Sequence, residues 1–253
     1  MSTTRVYIDS TVTASRSLGR ITFPITSLPV VIPGMILQWD VDSTSGALAR
    51  NRVGAAMTVV GAPVIDGYEV TLNETNYIDT GIPIQNYNAS DMTFISISKK
   101  PEGRFNIVGA LQVNAPQRSR SHLFDTANNI GARWLNAGGG ALVATLGGAS
   151  LVAAADGVDG IFCAARSYLN NGSGNQGLRI DLTRTGANAA VTGGAPPTNI
   201  TGNILIGASI DHATTVSGKV MAVLAFSRAL DASEIDTIYR TYKEYYAGVG
   251  KTI

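Results

Sequence analysis

From Met35 onward, short apolar runs alternate with clusters of turn-forming residues. Met35–Val41, Met57–Val60, Tyr68–Leu72, Met92–Ser98 and Phe105–Val113 predict strands. So do His122–Asp125, Ala141–Leu146, Ile161–Tyr168, Leu178–Leu182, Ile204–Ile210 and Val220–Phe226. Asp66-Gly67, Asp156-Gly157, Asp159-Gly160, Asn171-Gly172 and Gly193-Gly194 punctuate them. Asp, Asn and Gly favour such positions because they tolerate left-handed backbone or bond their own turn. About a dozen strands at this spacing, with almost no helical periodicity, predict an all-β sandwich or barrel.

Two segments depart from that rhythm. Over Asp231–Tyr246, Ile235, Ile238, Tyr239, Tyr242 and Tyr245/Tyr246 recur at helical spacing, which predicts one amphipathic helix. Asp231 and Glu234 suit a capping box, and Gly248 suits a stop. The tyrosine stripe is expected to pack on the sandwich. At the other end, Arg5–Ile8 and Ile21–Ile25 read as short strands, and Pro24, Pro29 and Pro33 then extend the chain. Residues 1–35 are therefore either a short N-terminal arm or small β element, or a first edge strand with its connection. Residues 36–253 form the sandwich.

The chain has 253 residues, of which 45% are hydrophobic, enough for a real core, and only 15% are charged. Such a surface is expected to present Ser, Thr, Asn and Gly, or to be covered by partner subunits. The formal net charge of +1 and the lack of any long like-charge run argue against nucleic acid as a partner. The single cysteine, Cys163, excludes an internal disulfide and reads as a small buried hydrophobe. No basic-then-apolar leader follows Met1, and no apolar run reaches the length of a membrane span. The expectation is synthesis in a reducing host cytoplasm without a signal peptide and without membrane insertion. The Asn-x-Ser/Thr sequons at Asn73, Asn88, Asn171 and Asn199 then read as chance matches.

The segment Gly218–Ile235, with its Phe226-Ser227-Arg228-Ala229-Leu230 turn and acidic-capped helix start, resembles the closing strand of laminin-G-like, concanavalin A-like domains. Asn76–Gly81, Asp91–Ser98 and Asn203–Gly207 are similar to earlier strands of that family, in the same order. The resemblance implies an antiparallel two-sheet jelly-roll sandwich with one C-terminal amphipathic helix. It does not carry the family's ligand acids over. Met221 and Ala222 stand where members often have acidic residues, and Gly160-Ile161-Phe162 stands where many have a Trp-His pair.

Catalytic patterns are missing. Glycoside hydrolases on this fold use clustered carboxylates, commonly Glu-x-Asp-x-x-Glu along one strand, and this sequence has no such run. His122 and His212 are the only histidines, and neither adjoins a nucleophile elbow or the cysteine. Gly248–Thr252 matches only half of a phosphate-binding loop, with Tyr245 where the first glycine belongs. Asp40-Val41-Asp42 and Asp156–Gly160 are weak calcium candidates, the second better read as consecutive turns. No metal and no cofactor is expected. For sugar binding, an aromatic face beside convergent polar groups is the usual arrangement. Trp134, with Arg133 and Asn136 ahead of Gly138-Gly139-Gly140, is the first candidate, and Trp39 with Asp40 the second. For both tryptophans the competing reading is burial in the core.

The expectation from these features is a non-enzymatic structural virion protein: a phage head-decoration, head-fibre or tail-associated protein. It would act through assembly contacts as a homo-oligomer, with a trimer favoured, and with other virion proteins as partners. The alternative is a carbohydrate-binding module or adhesin that recognises a cell-surface glycan. A hydrolase would need the paired carboxylates that the motifs lack.

Overall fold

The computed structural model describes residues 32–114, 117–135, 141–169, 177–193, 200–212 and 216–253. In chain order the strands are β1 (Met35–Asp40), β2 (Thr58–Val60), β3 (Val64–Asp66), β4 (Glu69–Leu72), β5 (Tyr77–Pro83), β6 (Met92–Ser98), β7 (Phe105–Gln112) and β8 (Arg118–Phe124). Then come β9 (Ile130–Leu135), β10 (Ala141–Leu146), helix α1 (Gly148–Ala155), β11 (Ile161–Tyr168), β12 (Gly177–Leu182), β13 (Ala187–Thr192), β14 (Asn203–Ile206), β15 (Gly218–Phe226) and helix α2 (Ala232–Gly248).

All pairings are antiparallel, and they build two sheets. The first runs β13-β12-β11-β6-β15-β4-β3. Its closing strand β15 divides its far edge, giving Gly218–Val220 to β4 and Ala222–Phe226 to β1. The second sheet runs β10-β9-β8-β7-β14-β5-β2. The all-β, two-sheet sandwich with a C-terminal helix predicted from the sequence is the architecture found. The predicted N-terminal arm falls largely on residues 1–31, outside the described ones.

Three layers result: α2, the first sheet, the second sheet. Side chains alternate across a strand, so β6 sends Phe94 into the space between the sheets and Ile95 and Ile97 toward α2. In β11, Cys163 and Ala165 face the second sheet while Phe162 and Ala164 face the helix. Both faces of these strands are covered, which is why they read as near-continuous apolar runs. In β15 the alternation slips. Met221 and Ala222 both face α2, because a register irregularity between Val220 and Ala222 inserts one residue against β6.

Helix α2 starts as its sequence predicts. The Asp231 carboxylate accepts from the Glu234 N–H at 2.9 Å, and Glu234 accepts from the Asp231 N–H at 3.0 Å, closing the capping box. Arg228 locks the entry turn: its guanidinium bonds the Glu234 carboxylate, and its Nε–H donates to the Pro33 carbonyl at 2.7 Å. The tyrosine stripe is buried on the first sheet, with the Tyr246 hydroxyl donating to the Met221 carbonyl at 3.0 Å.

Four elements differ from the sequence expectation. Helix α1 is unforeseen: among the described residues it is a second α-helix beside the predicted C-terminal one. Its eight residues, Gly-Ala-Ser-Leu-Val-Ala-Ala-Ala, bury only Leu151 and Ala154. Its last carbonyls are held from outside by Arg184, which donates to those of Ala153, Ala154 and Asp156 at 3.0, 3.2 and 2.8 Å. Strand β13 is built from Ala187-Asn188-Ala189-Ala190, residue types with little strand preference. β3 is a three-residue edge strand. β9 holds the first candidate sugar residues, in a segment read as a site rather than as a strand.

Candidate functional site

The two candidate tryptophans are core residues. Trp39 is fully buried and donates its indole N–H to the Leu48 carbonyl at 3.1 Å. Trp134 is 1% exposed, and the Arg120 guanidinium lies 4.7 Å from its ring centroid, inside the sandwich. Neither offers a face for a sugar to stack on, so that part of the sequence expectation is corrected. The cause is strand phase: both indoles fall on inward-facing positions.

Asp40 points the other way, toward α2, and is fully buried. Its carboxylate accepts from Arg52 Nε and Nη2. Its neighbour Asp42 accepts from Arg50 Nη2 at 2.8 Å and from the Thr44 N–H at 2.9 Å. Two carboxylates already held by arginines make a poor cation site. In the other loop weighed for calcium, Asp159 holds the chain end instead, bonding Lys251 and the Thr252 N–H. Among the described residues no group of three or more His, Cys, Asp or Glu side chains could hold a metal ion. Asn136 and the glycines at 138–140 lie outside the described residues.

Arg133 is placed differently. It is one step out of phase with Trp134, so it stands on the outer face of the second sheet. There it lines a cleft of about 210 Å³ with Arg104, Leu123, Asp125, Gly131, Ala132, Val143 and Thr145. The construction follows the register. Gly131 pairs with Leu123 of β8 and Thr145 of β10, and its missing side chain leaves a floor between their walls. Arg133 pairs with Ser121 and Val143 on one side of that floor. Arg104 directly precedes β7, whose Phe105 pairs with Phe124 of β8, so Arg104 and Asp125 close the other end. A bulge in β7 between Asn106 and Val108 turns both Ile107 and Val108 inward while preserving that outward phase for Arg104.

The electrostatics of this cleft are unusual. Burial, and then the nearby Arg104 charge, lower the pKa of Arg133. The Nε atoms of Arg104 and Arg133 are both buried without a hydrogen-bond partner among the described residues. Asp125 forms no ion pair with either of them among the described residues. Its Oδ1 accepts from the Ala127 and Asn129 N–H groups at 2.8 and 2.9 Å, and its Oδ2 from Asn129 Nδ2 at 3.1 Å. Val143 adds an exposed apolar surface, 46% accessible. Two further clefts contrast with this one. Beside α2, Arg166 and Arg179 are both paired with Asp181. At the far end of the first sheet, Lys99 and Lys219 are both paired with Glu69.

The sequence points to Arg133 through its neighbour Trp134 but not to Arg104 or Arg120. Arg120 is buried between the sheets. It donates to the Tyr87 and Ser90 carbonyls and to Ser167 Oγ, and burial lowers its pKa to about 9. The alternation Arg118-Ser119-Arg120-Ser121-His122 was the available signal. It is a strand pattern written entirely in polar residues.

His122 meets Ser96 across the sandwich, with Nε2 2.8 Å from Ser96 Oγ and Nδ1 2.9 Å from the Gly131 carbonyl. A carbonyl can only accept, so Nδ1 carries the proton and Nε2 accepts from the serine. Both residues are fully buried, and the third partner is a backbone carbonyl rather than a carboxylate. The pair therefore resembles a nucleophile dyad only in distance. It ties the floor of the outer cleft, at Gly131, to the centre of the first sheet. His212 is a loop residue, as its sequence context predicts, with φ +49° and Nδ1 3.3 Å from Glu74 Oε2.

No protein-family model matches the sequence, and no curated protein matches it. Solved structures do. The chain is similar to the binding domain of botulinum neurotoxin serotype C1, with TM-score 0.58 and 11% identity over 82% of this chain and 52% of that one. The binding domain of botulinum neurotoxin DC in complex with SialylT matches with TM-score 0.58 and 12% identity, over 83% of this chain and 52% of that one. The same binding domain in complex with rat synaptotagmin II matches with TM-score 0.56 and 13% identity, over 82% and 51%. This chain spans about half the length of those structures. At such identities the likeness establishes the fold alone, a jelly-roll β-sandwich. Phage origin, virion assembly and a trimer, expected from the sequence, find no support among these matches.

Proposed function

We propose that this chain is a non-enzymatic recognition module that binds a glycan on the outer face of the second sheet. The observation that carries the reading is the Arg104–Arg133 cleft: convergent polar groups beside an exposed apolar wall, on a rigid strand floor. Sites built this way hold ligands by a few placed polar groups against apolar surface. Strands position such groups better than loops do. The fold neighbours support the reading in kind, since they are receptor-binding domains and one was solved with a glycan ligand. The sequence alternative, a carbohydrate-binding module or adhesin, thus stands ahead of virion assembly.

The absence of catalysis belongs to the same proposal. Among the described residues the Ser96–His122 contact is sealed in the core, and the cleft's carboxylate, Asp125, is bonded to its own turn. The test is a screen of the labelled full chain against an array of neutral and charged glycans. Saturable binding to a structurally related set is expected. A blank array would remove the glycan reading.

A further inference from the structure

The recognition reading leaves the chemical class of the ligand open, and the arginine pair narrows it. Two guanidiniums face one cleft, each with a buried Nε–H that no described residue accepts. Neither forms an ion pair among the described residues, whereas Arg50, Arg52, Arg166, Arg179, Arg228 and Arg240 all do. Bringing like charges together in a half-buried site costs stability unless something compensates. The cleft's carboxylate, Asp125, forms no ion pair with either arginine among the described residues and is hydrogen-bonded to its own turn. The local balance is two cations against one engaged anion.

We propose that Arg104 and Arg133 together bind an anionic group on the glycan, a carboxylate or a sulfate, so that the site selects acidic oligosaccharides over neutral ones. The inference rests on the glycan reading above. Guanidinium groups match the planar, two-oxygen edge of a carboxylate and the tetrahedral edge of a sulfate alike. Leu123 and Val143 supply an apolar wall for the less polar face of the ring that carries the group. Thr145 lines the same cleft and carries a hydroxyl that can bond a ring hydroxyl. The cleft volume of about 210 Å³ fits one charged residue of a chain rather than a whole oligosaccharide.

The test uses the full chain and three probes of matched length: oligogalacturonate, its methyl ester, and a sulfated oligogalactan. An acidic glycan from the array replaces them if it binds more tightly, compared with its carboxyl-reduced or desulfated form. Binding to an acidic probe is expected to weaken at least about tenfold when the anionic group is esterified, reduced or removed. It should weaken by a similar factor in Arg104→Gln and in Arg133→Gln, and with rising salt. The carboxylate and sulfate arms decide which anion is preferred. Modifying the probe leaves the protein untouched, so a folding defect in either variant cannot imitate the result. Equal binding of neutral and acidic forms, unchanged in both variants, would overturn the anion inference and leave glycan recognition standing. A chain that binds no glycan of either kind would overturn both.

Discussion

Trp134 and Arg133 are neighbours in sequence and opposites in role, because one step along a strand moves a side chain from core to surface. The indole is spent on packing and the guanidinium is left for chemistry. Trp39→Ala and Trp134→Ala should each destabilise the fold by about 3–5 kcal/mol, the usual cost of removing a buried indole. Urea unfolding measures this, and a loss under about 1 kcal/mol would contradict core burial. His122 makes a second prediction at the same level. Burial lowers its pKa from 6.5 to about 4, so the unfolded chain binds a proton that the folded one refuses. Stability from this site is complete above pH 6.5 and is lost as pH falls from there toward 4. A displacement of this size corresponds to roughly 3 kcal/mol at about 1.4 kcal/mol per pH unit. Denaturant titrations across that range should show stability rising with pH in the wild type and a flatter profile in His122→Gln. Identical profiles would mean that His122 titrates as it does in water.

Among the elements, α2 bears the most weight outside the sandwich itself. It covers Ile95, Ile97, Phe162, Leu224 and Phe226 on the first sheet. A chain ending at Leu230 should therefore expose a continuous apolar face and aggregate. Size-exclusion chromatography with a hydrophobic dye reads the outcome, and a monodisperse, dye-negative product would refute the three-layer packing. This helix was legible in full, because its period, its capping box and its apolar stripe agree. β6, β10 and β11 were equally plain, since their boundaries coincide with apolar runs. Legibility failed where tertiary structure supplied what local preference lacked. β13 forms from alanine and asparagine because β12 offers a ready edge along six paired positions. α1 persists at eight residues because Arg184 caps it from another turn. The first half of β8 is hidden by its polarity: Arg120 is buried by a cross-sheet hydrogen bond to Ser167, and Ser119 and Ser121 are buried while bonding each other along the strand. The outer cleft was half legible. Arg133 stands out beside Trp134 in the sequence, while Arg104 enters only through the register of β7 on β8, which no local pattern encodes.

The molecule as a whole divides its work between faces. One face of the first sheet is closed by α2, and the interior holds a Ser-His contact and a buried arginine that serve architecture. The outer face of the second sheet keeps two arginines without carboxylate partners among the described residues. Relieving their mutual repulsion should not harm the fold. Arg104→Gln is expected to melt at or slightly above the wild-type temperature by differential scanning calorimetry, and a marked drop would assign Arg104 a structural role instead. The most direct measurement is amide chemical-shift mapping of the full chain during titration with an acidic oligosaccharide. The predicted result is saturable shifts centred on Arg104, Leu123, Gly131, Arg133, Val143 and Thr145, with the interior around Ser96 unperturbed. Shifts centred on the Lys99–Lys219 cleft or beside α2, with the second sheet silent, would contradict it.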